Sequence, residues 1–117
     1  MDSEVKSIQL KDIIERCRHL TIIEQRCLND EFVELVFDNG QAEAWYQILT
    51  EVLGKPRKDK GEMPSEGDLA ITKRTGGIRV NQTLFEAKVD DNTIIAKFWP
   101  WNNNRYTTLR MALLIKG

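Results

Sequence analysis

Two stretches in the first half of the chain repeat apolar residues every three or four positions, which is the spacing of an amphipathic helix. The two apolar stripes consist of Leu10, Ile13, Ile14, Cys17 and Leu20, and of Ala42, Trp45, Ile48, Leu49 and Val52. Gly54 follows the second stripe at a position where helices commonly end. The pattern therefore predicts an N-terminal helix and a second helix that ends near Gly54.

Between these helices, two short segments are rich in β-branched and aromatic residues, as strands are. Residues 21–27 and 32–37 flank Asn29-Asp30, a pair that is typical of a hairpin turn. The second segment is apolar on both faces except at Glu34, so we expect it to be a central strand.

The second half of the chain alternates apolar and polar residues, which predicts further strands. Turn signals separate the predicted strands, which are residues 69–74, 78–80, 84–89, 94–99 and 105–115. The whole pattern predicts an α+β fold with an N-terminal helix, a β-hairpin, a second helix and then a mainly antiparallel β-meander. We expect the helices to pack on one face of the sheet.

Residues 54–67 interrupt this order with three glycines and two prolines, and Met63 is the one sizeable apolar side chain among them. This composition predicts a mobile surface loop at 54–67. With 117 residues, the chain has the size of one domain, and we expect a single globular domain over residues 1–117.

Alternation also predicts how the last three strands pair. If Val89 faces Asn92 across the turn between them, the apolar residues of both strands fall on one face. If Trp99 faces Tyr106 across the next turn, the apolar residues of the last strand join that face. We therefore expect Trp99 and Tyr106 to form a pair on the opposite face.

That opposite face is the strongest candidate for a binding surface. It places Trp99 and Tyr106 near Lys97 and Arg110, so the rings could stack on a ligand while the cations hold an anionic group. The same arrangement fits two structural roles, a stabilising cross-strand pair or a surface covered by a second copy of the chain.

The turn after Trp99 adds Trp101 and Arg105 to the candidate binding residues. The three asparagines between them tolerate left-handed conformations, which is typical of a turn. Trp101 either folds back into an apolar niche or stays available to a partner.

Charge and hydropathy limit the partners. There are 17 basic and 18 acidic residues, a net charge of -1, so no global excess of positive charge attracts nucleic acid. No apolar run approaches the ~18 residues that span a bilayer, and the first residues lack a signal-peptide pattern. We therefore expect a cytoplasmic protein without a membrane partner.

Residues that usually carry catalysis are few. The two cysteines and the one histidine, Cys17, Cys27 and His19, are too few for a four-ligand zinc site. Thr75-Gly76-Gly77 joins two predicted strands and lacks the features of a phosphate loop. We expect no metal and no cofactor, and we lean towards a function without catalysis.

Three hypotheses for the function stay open. The first is a non-enzymatic binding or protein-interaction domain that self-associates through the face of Trp99 and Tyr106. The second is a small enzyme with a pocket between the helices and the sheet. The third is weak binding of single-stranded nucleic acid by the basic run within residues 55–60, which neighbouring carboxylates dilute.

Overall fold

The computed structural model describes residues 8–115, which form three α-helices and five strands. The helices are α1 (Leu10–Arg16), α2 (Ala42–Leu53) and α3 (Glu66–Ile71). The strands are β1 (Glu24–Leu28), β2 (Phe32–Asp38), β3 (Thr83–Val89), β4 (Asn92–Pro100) and β5 (Tyr106–Leu114). Short 3₁₀ turns lie at Asn39–Gln41 and Lys73–Thr75. Within residues 8–115, no helix has the length and apolar character needed to cross a membrane.

All five strands form one antiparallel sheet in the order β1-β2-β5-β4-β3. β2 lies between β1 and β5, as its apolar character on both faces predicts. β3 and β4 pair in the predicted register, with Val89 facing Asn92 and Phe85 facing Ala96. The predicted α+β fold is confirmed.

Helices α1 and α2 pack on one face of the sheet, the inner face, as predicted. Their apolar stripes contact alternate residues of the strands. The buried residues of this core are Leu10, Ile13, Cys17, Trp45, Leu49 and Leu53 of the helices, and Val33, Leu35, Phe37, Phe85, Val89, Ile94, Ala96, Phe98, Leu109 and Met111 of the sheet. Trp45 stacks on Phe37, with ring centroids 4.9 Å apart.

A third helix, α3, covers part of the opposite, outer face. The alternation of residues 69–74 and 78–80 predicts two strands, and this prediction is wrong, because α3, a 3₁₀ turn and irregular backbone occupy these positions. A second, smaller core forms on the outer face from Ile71, Ile78, Leu84, Ile95 and Ala112.

The start of α3 explains why this segment is helical. Ser65 Oγ accepts a hydrogen bond from the Asp68 backbone N–H at 3.0 Å, and the Asp68 carboxylate accepts one from the Ser65 N–H at 2.8 Å. This reciprocal cap satisfies two N–H groups that the first helical turn leaves free. Arg57 donates to the Asp68 carboxylate and to Glu86 of β3, which ties the helix to the sheet.

Residues 54–67, the predicted mobile loop, are mostly exposed but are anchored at Lys58. The Lys58 side chain is only 1% exposed. Its Nζ donates to the backbone carbonyls of Asp59 at 2.9 Å, Val80 at 3.1 Å and Gln82 at 2.6 Å. The last two residues of the segment already belong to α3. Mobility of the remaining residues stays a prediction.

Candidate functional site

The candidate aromatic residues lie where β4 and β5 approach the turn at residues 102–105. The expected pairing of Trp99 with Tyr106 is wrong by two residues, since Trp99 faces Thr108. The strands approach each other further towards the turn than expected, and the Trp101 N–H donates to the Tyr106 carbonyl at 2.9 Å. A shift of two residues leaves every side chain on its predicted face.

The asparagine run forms the turn, as interpreted from the sequence. Asn104 has a φ of 62°, in the left-handed region, and its N–H donates to the Trp101 carbonyl at 3.1 Å. The Asn103 side chain accepts a hydrogen bond from the Arg105 N–H at 2.9 Å. These bonds account for the asparagines by turn chemistry alone.

Trp101 folds back over the outer face and is half-buried. Its indole Nε1 donates to Thr108 Oγ1 at 2.8 Å. Its ring meets the Tyr106 ring edge to face, with centroids 5.2 Å apart. These two contacts hold the indole in place.

Two arginines lie over the two outer-face tryptophans. The Arg110 guanidinium is 5.5 Å from the centroid of Trp99, and the Arg26 guanidinium is 5.8 Å from the centroid of Trp101. Each contact has cation–π geometry. We call the surface formed by Arg26, Trp99, Trp101, Thr108 and Arg110 the Trp–Arg face.

Glu34 of β2 lies between the two arginines. Its Oε1 accepts a hydrogen bond from Arg110 Nε at 3.2 Å, and its Oε2 accepts one from Arg26 Nη1 at 3.4 Å. Glu24 accepts a further bond from Arg26 Nε at 3.1 Å, and the Thr75 carbonyl accepts one from Arg110 Nη1 at 2.9 Å. The two guanidinium charges are thus balanced by two carboxylates and held in fixed positions.

An open groove of about 380 Å³ runs along the Trp–Arg face. The residues that line it are Arg26, Trp99, Pro100, Trp101, Asn102, Thr108 and Arg110. The turn at Lys73–Thr75 borders this part of the outer face through the bond from Arg110 to Thr75. The groove therefore occupies the part of the outer face next to the part that α3 covers.

Three of the predicted site residues do not line the groove. Arg105 lies over Tyr106, with its guanidinium 5.6 Å from the ring centroid, on the turn beside the groove. Lys97 is only 1% exposed, and its Nζ donates to the carbonyls of Thr75 at 2.5 Å and Gly77 at 2.7 Å. Lys97 therefore holds the turn against the sheet, where a ligand does not reach it.

Burial explains the acid–base behaviour of Lys97. Desolvation and, to a lesser extent, the positive charge of Arg110 lower the pKa of its ammonium, the charge of Glu34 opposes them, and the resulting pKa is about 8. The two carbonyl acceptors make the charged form tolerable at neutral pH.

Arg26 is the member of the Trp–Arg face that the sequence pattern did not indicate. It lies at a bulge of β1, where the pairing with β2 shifts between Gln25 and Cys27. Its approach to Trp101 depends on the pairing of β2 with β5, which no local sequence pattern predicts. Alternation alone places Thr108 on the same face as Arg110.

The contact between Arg110 and the turn at Lys73–Thr75 makes a prediction for Gly76. Gly76 has a φ of 96°, and a Cβ added there would lie 2.8 Å from Arg110 Nη1. We expect Gly76→Ala to lower the free energy of unfolding by about 2 kcal/mol, because backbone strain adds to the cost of displacing the Arg110 guanidinium from Glu34 and the Thr75 carbonyl. Urea unfolding measures the change.

Gly77→Ala is the matched control for Gly76→Ala. Gly77 also has a left-handed φ, 80°, but an added Cβ there meets nothing within 4 Å. We therefore expect Gly77→Ala to lower the free energy of unfolding less than Gly76→Ala does. Equal losses in the two variants would contradict the placement of Arg110 against the turn.

The remaining chemical candidates are separate from the groove. Burial raises the pKa of the Cys17 thiol to about 11, which makes it a poor nucleophile. Cys27 is a half-buried free thiol, and His19 is exposed. Residues 8–115 contain no group of three or more His, Cys, Asp or Glu side chains arranged to hold a metal ion. No protein-family model, curated protein or solved structure matches the chain, so the chemistry of its surfaces is the guide to its function.

Proposed function

We propose that this chain is a non-enzymatic protein-interaction domain that self-associates through the Trp–Arg face. The observation that carries the proposal is the division of the outer face. α3 and the following turn cover one part, whereas the adjoining part leaves Trp99 and Trp101 only half-buried beside an open groove. Tryptophan and arginine are the residues that most often dominate the binding energy of protein interfaces.

The side chains of the Trp–Arg face are already ordered. Arg110 is held by Trp99, by Glu34 and by the Thr75 carbonyl, and Trp101 is held by Thr108. Long side chains that are fixed beforehand lose less conformational entropy when a partner binds. This supports a surface built for association.

The charge balance of the face favours a protein over a small anion. Glu34 bonds to both Arg26 and Arg110, and Glu24 bonds to Arg26, so a free anion must compete with carboxylates that are already in place. Both signs of charge lie side by side. A two-fold contact can therefore bring this mixed patch against its own copy without a large net repulsion.

The edges of the sheet are less suited to self-association than its outer face. β1 has a bulge at Arg26, and its exposed side chains include Glu24 and Gln25. The other edge, β3, is bridged by Lys58 through its pairing with Leu84. Bulges, charges and covered edges all oppose the addition of another strand.

Sedimentation of the wild type and of Trp99→Ala over micromolar to millimolar concentrations tests the proposal. We expect a wild-type dimer and a dissociation constant at least about 30-fold higher for Trp99→Ala, as for the loss of a typical interface hot spot. Met63→Ala is the control, because Met63 is 78% exposed and lies outside the groove. Circular dichroism of each variant checks that it is folded.

Two outcomes would count against the proposal. A wild-type chain that stays monomeric at millimolar concentration would contradict self-association. A wild-type dimer that Trp99→Ala leaves intact would remove the Trp–Arg face as its interface.

Binding of single-stranded nucleic acid has less support. Arg57 is paired with Asp68 and Glu86, and Lys58 is buried, so two members of the basic run are engaged inside the fold. Phosphate binding needs cations that are available to the backbone of the nucleic acid. A cytoplasmic location stays an expectation that accords with the free thiols Cys17 and Cys27.

A further inference from the structure

A second cavity of about 360 Å³ opens at the end of the sheet where β2 leads into α2. Phe37 and Phe98 form part of its apolar lining on the sheet side, and Ala42 and Tyr46 line it from α2. Asp59 and Lys60, which follow Lys58, also line it. The volume falls within the range of small-molecule pockets.

The rim of this cavity is negatively charged on balance. Asp59 and Glu43 line it together with one cation, Lys60. Tyr46 Oη donates to Asp59 Oδ1 at 3.2 Å. The hydroxyl oxygen can therefore still accept a hydrogen bond from a donor on the ligand. Glu43, Asp59 and Lys60 are all exposed, and the Lys60 ammonium, on a long flexible stem, can remain in water when a ligand enters.

The acid–base behaviour of Tyr46 agrees with this negative rim. Burial raises the pKa of its hydroxyl, and the hydrogen bond to Asp59 and the charges of Asp59 and Glu43 raise it further. Of these causes, the charges of Asp59 and Glu43 are the ones that also favour a bound cation.

Aromatic rings lie directly below the rim. The Phe98 ring contacts those of Phe37, at 5.6 Å between centroids, and Tyr46, at 6.4 Å. Phe37 is fully buried and supports Phe98 from within the core, so a flat or branched apolar group packs against Tyr46 and the exposed part of Phe98.

We propose that this cavity binds a small organic cation, with an ammonium group at Asp59 and Glu43 and a compact apolar body against Phe98 and Tyr46. The charge of the rim selects the ammonium, and the aromatic lining selects the body. This site is independent of self-association through the Trp–Arg face, so either proposal can fail alone.

Three probes with the same ring and different charge test the proposal. The folded chain is titrated with 2-phenylethylamine, 2-phenylethanol and phenylacetate, and the ring signals of Tyr46 and Phe98 are followed by NMR. We expect saturable shifts with the amine, affinity about tenfold lower for the alcohol, and no saturation with the acid. Saturation by phenylacetate as readily as by the amine would overturn the proposal, as would the absence of saturation with all three.

Two carboxamide variants test whether the carboxylates of Asp59 and Glu43 contact the ammonium group. Asp59→Asn keeps an acceptor for Tyr46 and should weaken amine binding about tenfold while leaving the alcohol unaffected, and Glu43→Gln should act in the same direction. Glu51→Gln removes an exposed carboxylate of α2 that does not line the cavity, so it is the matched control. Equal effects of Asp59→Asn and Glu51→Gln on amine affinity would contradict a specific contact.

Discussion

Replacing Lys58 by alanine is expected to lower the free energy of unfolding by about 3 kcal/mol. The residue belongs to a segment rich in glycine, proline and charge, where most substitutions have little effect. Its Nζ, however, is buried and bonds to the carbonyls of Asp59, Val80 and Gln82. Alanine removes the charged donor that these three carbonyls share. The Asp59 and Val80 carbonyls keep bonds from the N–H groups of Glu62 and Gly61, whereas the buried bond to the Gln82 carbonyl is lost, and bonds from a charged donor inside the fold are costly to lose.

Urea unfolding of three variants isolates this effect. Lys58→Met restores apolar volume but no donor, so it should remain well below the wild type in stability. Lys55→Ala removes an exposed lysine of the same segment and should change stability by less than about 0.5 kcal/mol. Loss of stability no greater in Lys58→Ala than in Lys55→Ala would show that Lys58 does not anchor the segment.

The elements that local patterns predict well are those whose burial is decided by near neighbours. α1 and α2 carry complete apolar stripes, and the short turn after Val89 leaves one register for β3 and β4. Between β4 and β5, the same alternation determines the face of the sheet on which each side chain lies. It allows the pairing register to shift by two residues. The length of the turn decides between them, and three asparagines fit a turn that begins after Trp99 or after Trp101.

α3 shows where a local pattern misleads. Leu69 and Ile71 alternate as in a strand, yet Leu69 is half-exposed and Ile71 packs on the outer face. The capping pair of Ser65 and Asp68 is a local helix signal that competes with this alternation. The ion pair from Arg57 adds a contact 11 positions away in the chain, which no short window contains.

The candidate site was predicted in part for the same reasons. The alternation of apolar and polar residues places Trp99 and Arg110 on the outer face, and the structure brings them together with Trp101. Alternation does not distinguish an exposed lysine from a buried one, so the sequence pattern alone predicts that Lys97 faces a ligand. Its burial depends on the turn that carries Thr75 and Gly77, about 20 residues away in sequence.

The stability of the chain should depend on Lys97 at alkaline pH. The pKa of this ammonium is lowered from its ordinary value of 10.5 to about 8, chiefly by burial. Between pH 8 and 10.5 the folded chain holds Lys97 mostly neutral, whereas the unfolded chain holds it protonated. Unfolding then takes up a proton, so this residue makes stability rise with pH in that window, by about 3 kcal/mol in all.

Cys17 acts in the opposite direction over part of the same range. Burial raises the pKa of its thiol from 9.0 to about 11, so the unfolded chain loses this proton first and stability falls as pH rises between these values. A single curve of stability against pH therefore combines slopes of opposite sign. The difference between wild type and Lys97→Met at each pH cancels the contribution of Cys17.

We expect this difference to change by about 3 kcal/mol in favour of the wild type between pH 7 and 10.5, as measured by urea unfolding. The Lys97 side-chain NMR signal should titrate with a midpoint near 8 in the folded chain. Lys88→Met, which replaces an exposed lysine of β3, is the matched control. A difference that stays constant from pH 7 to 10.5 would contradict the buried ammonium, and so would a midpoint at 10.5, because both require Lys97 to be solvated in the folded chain.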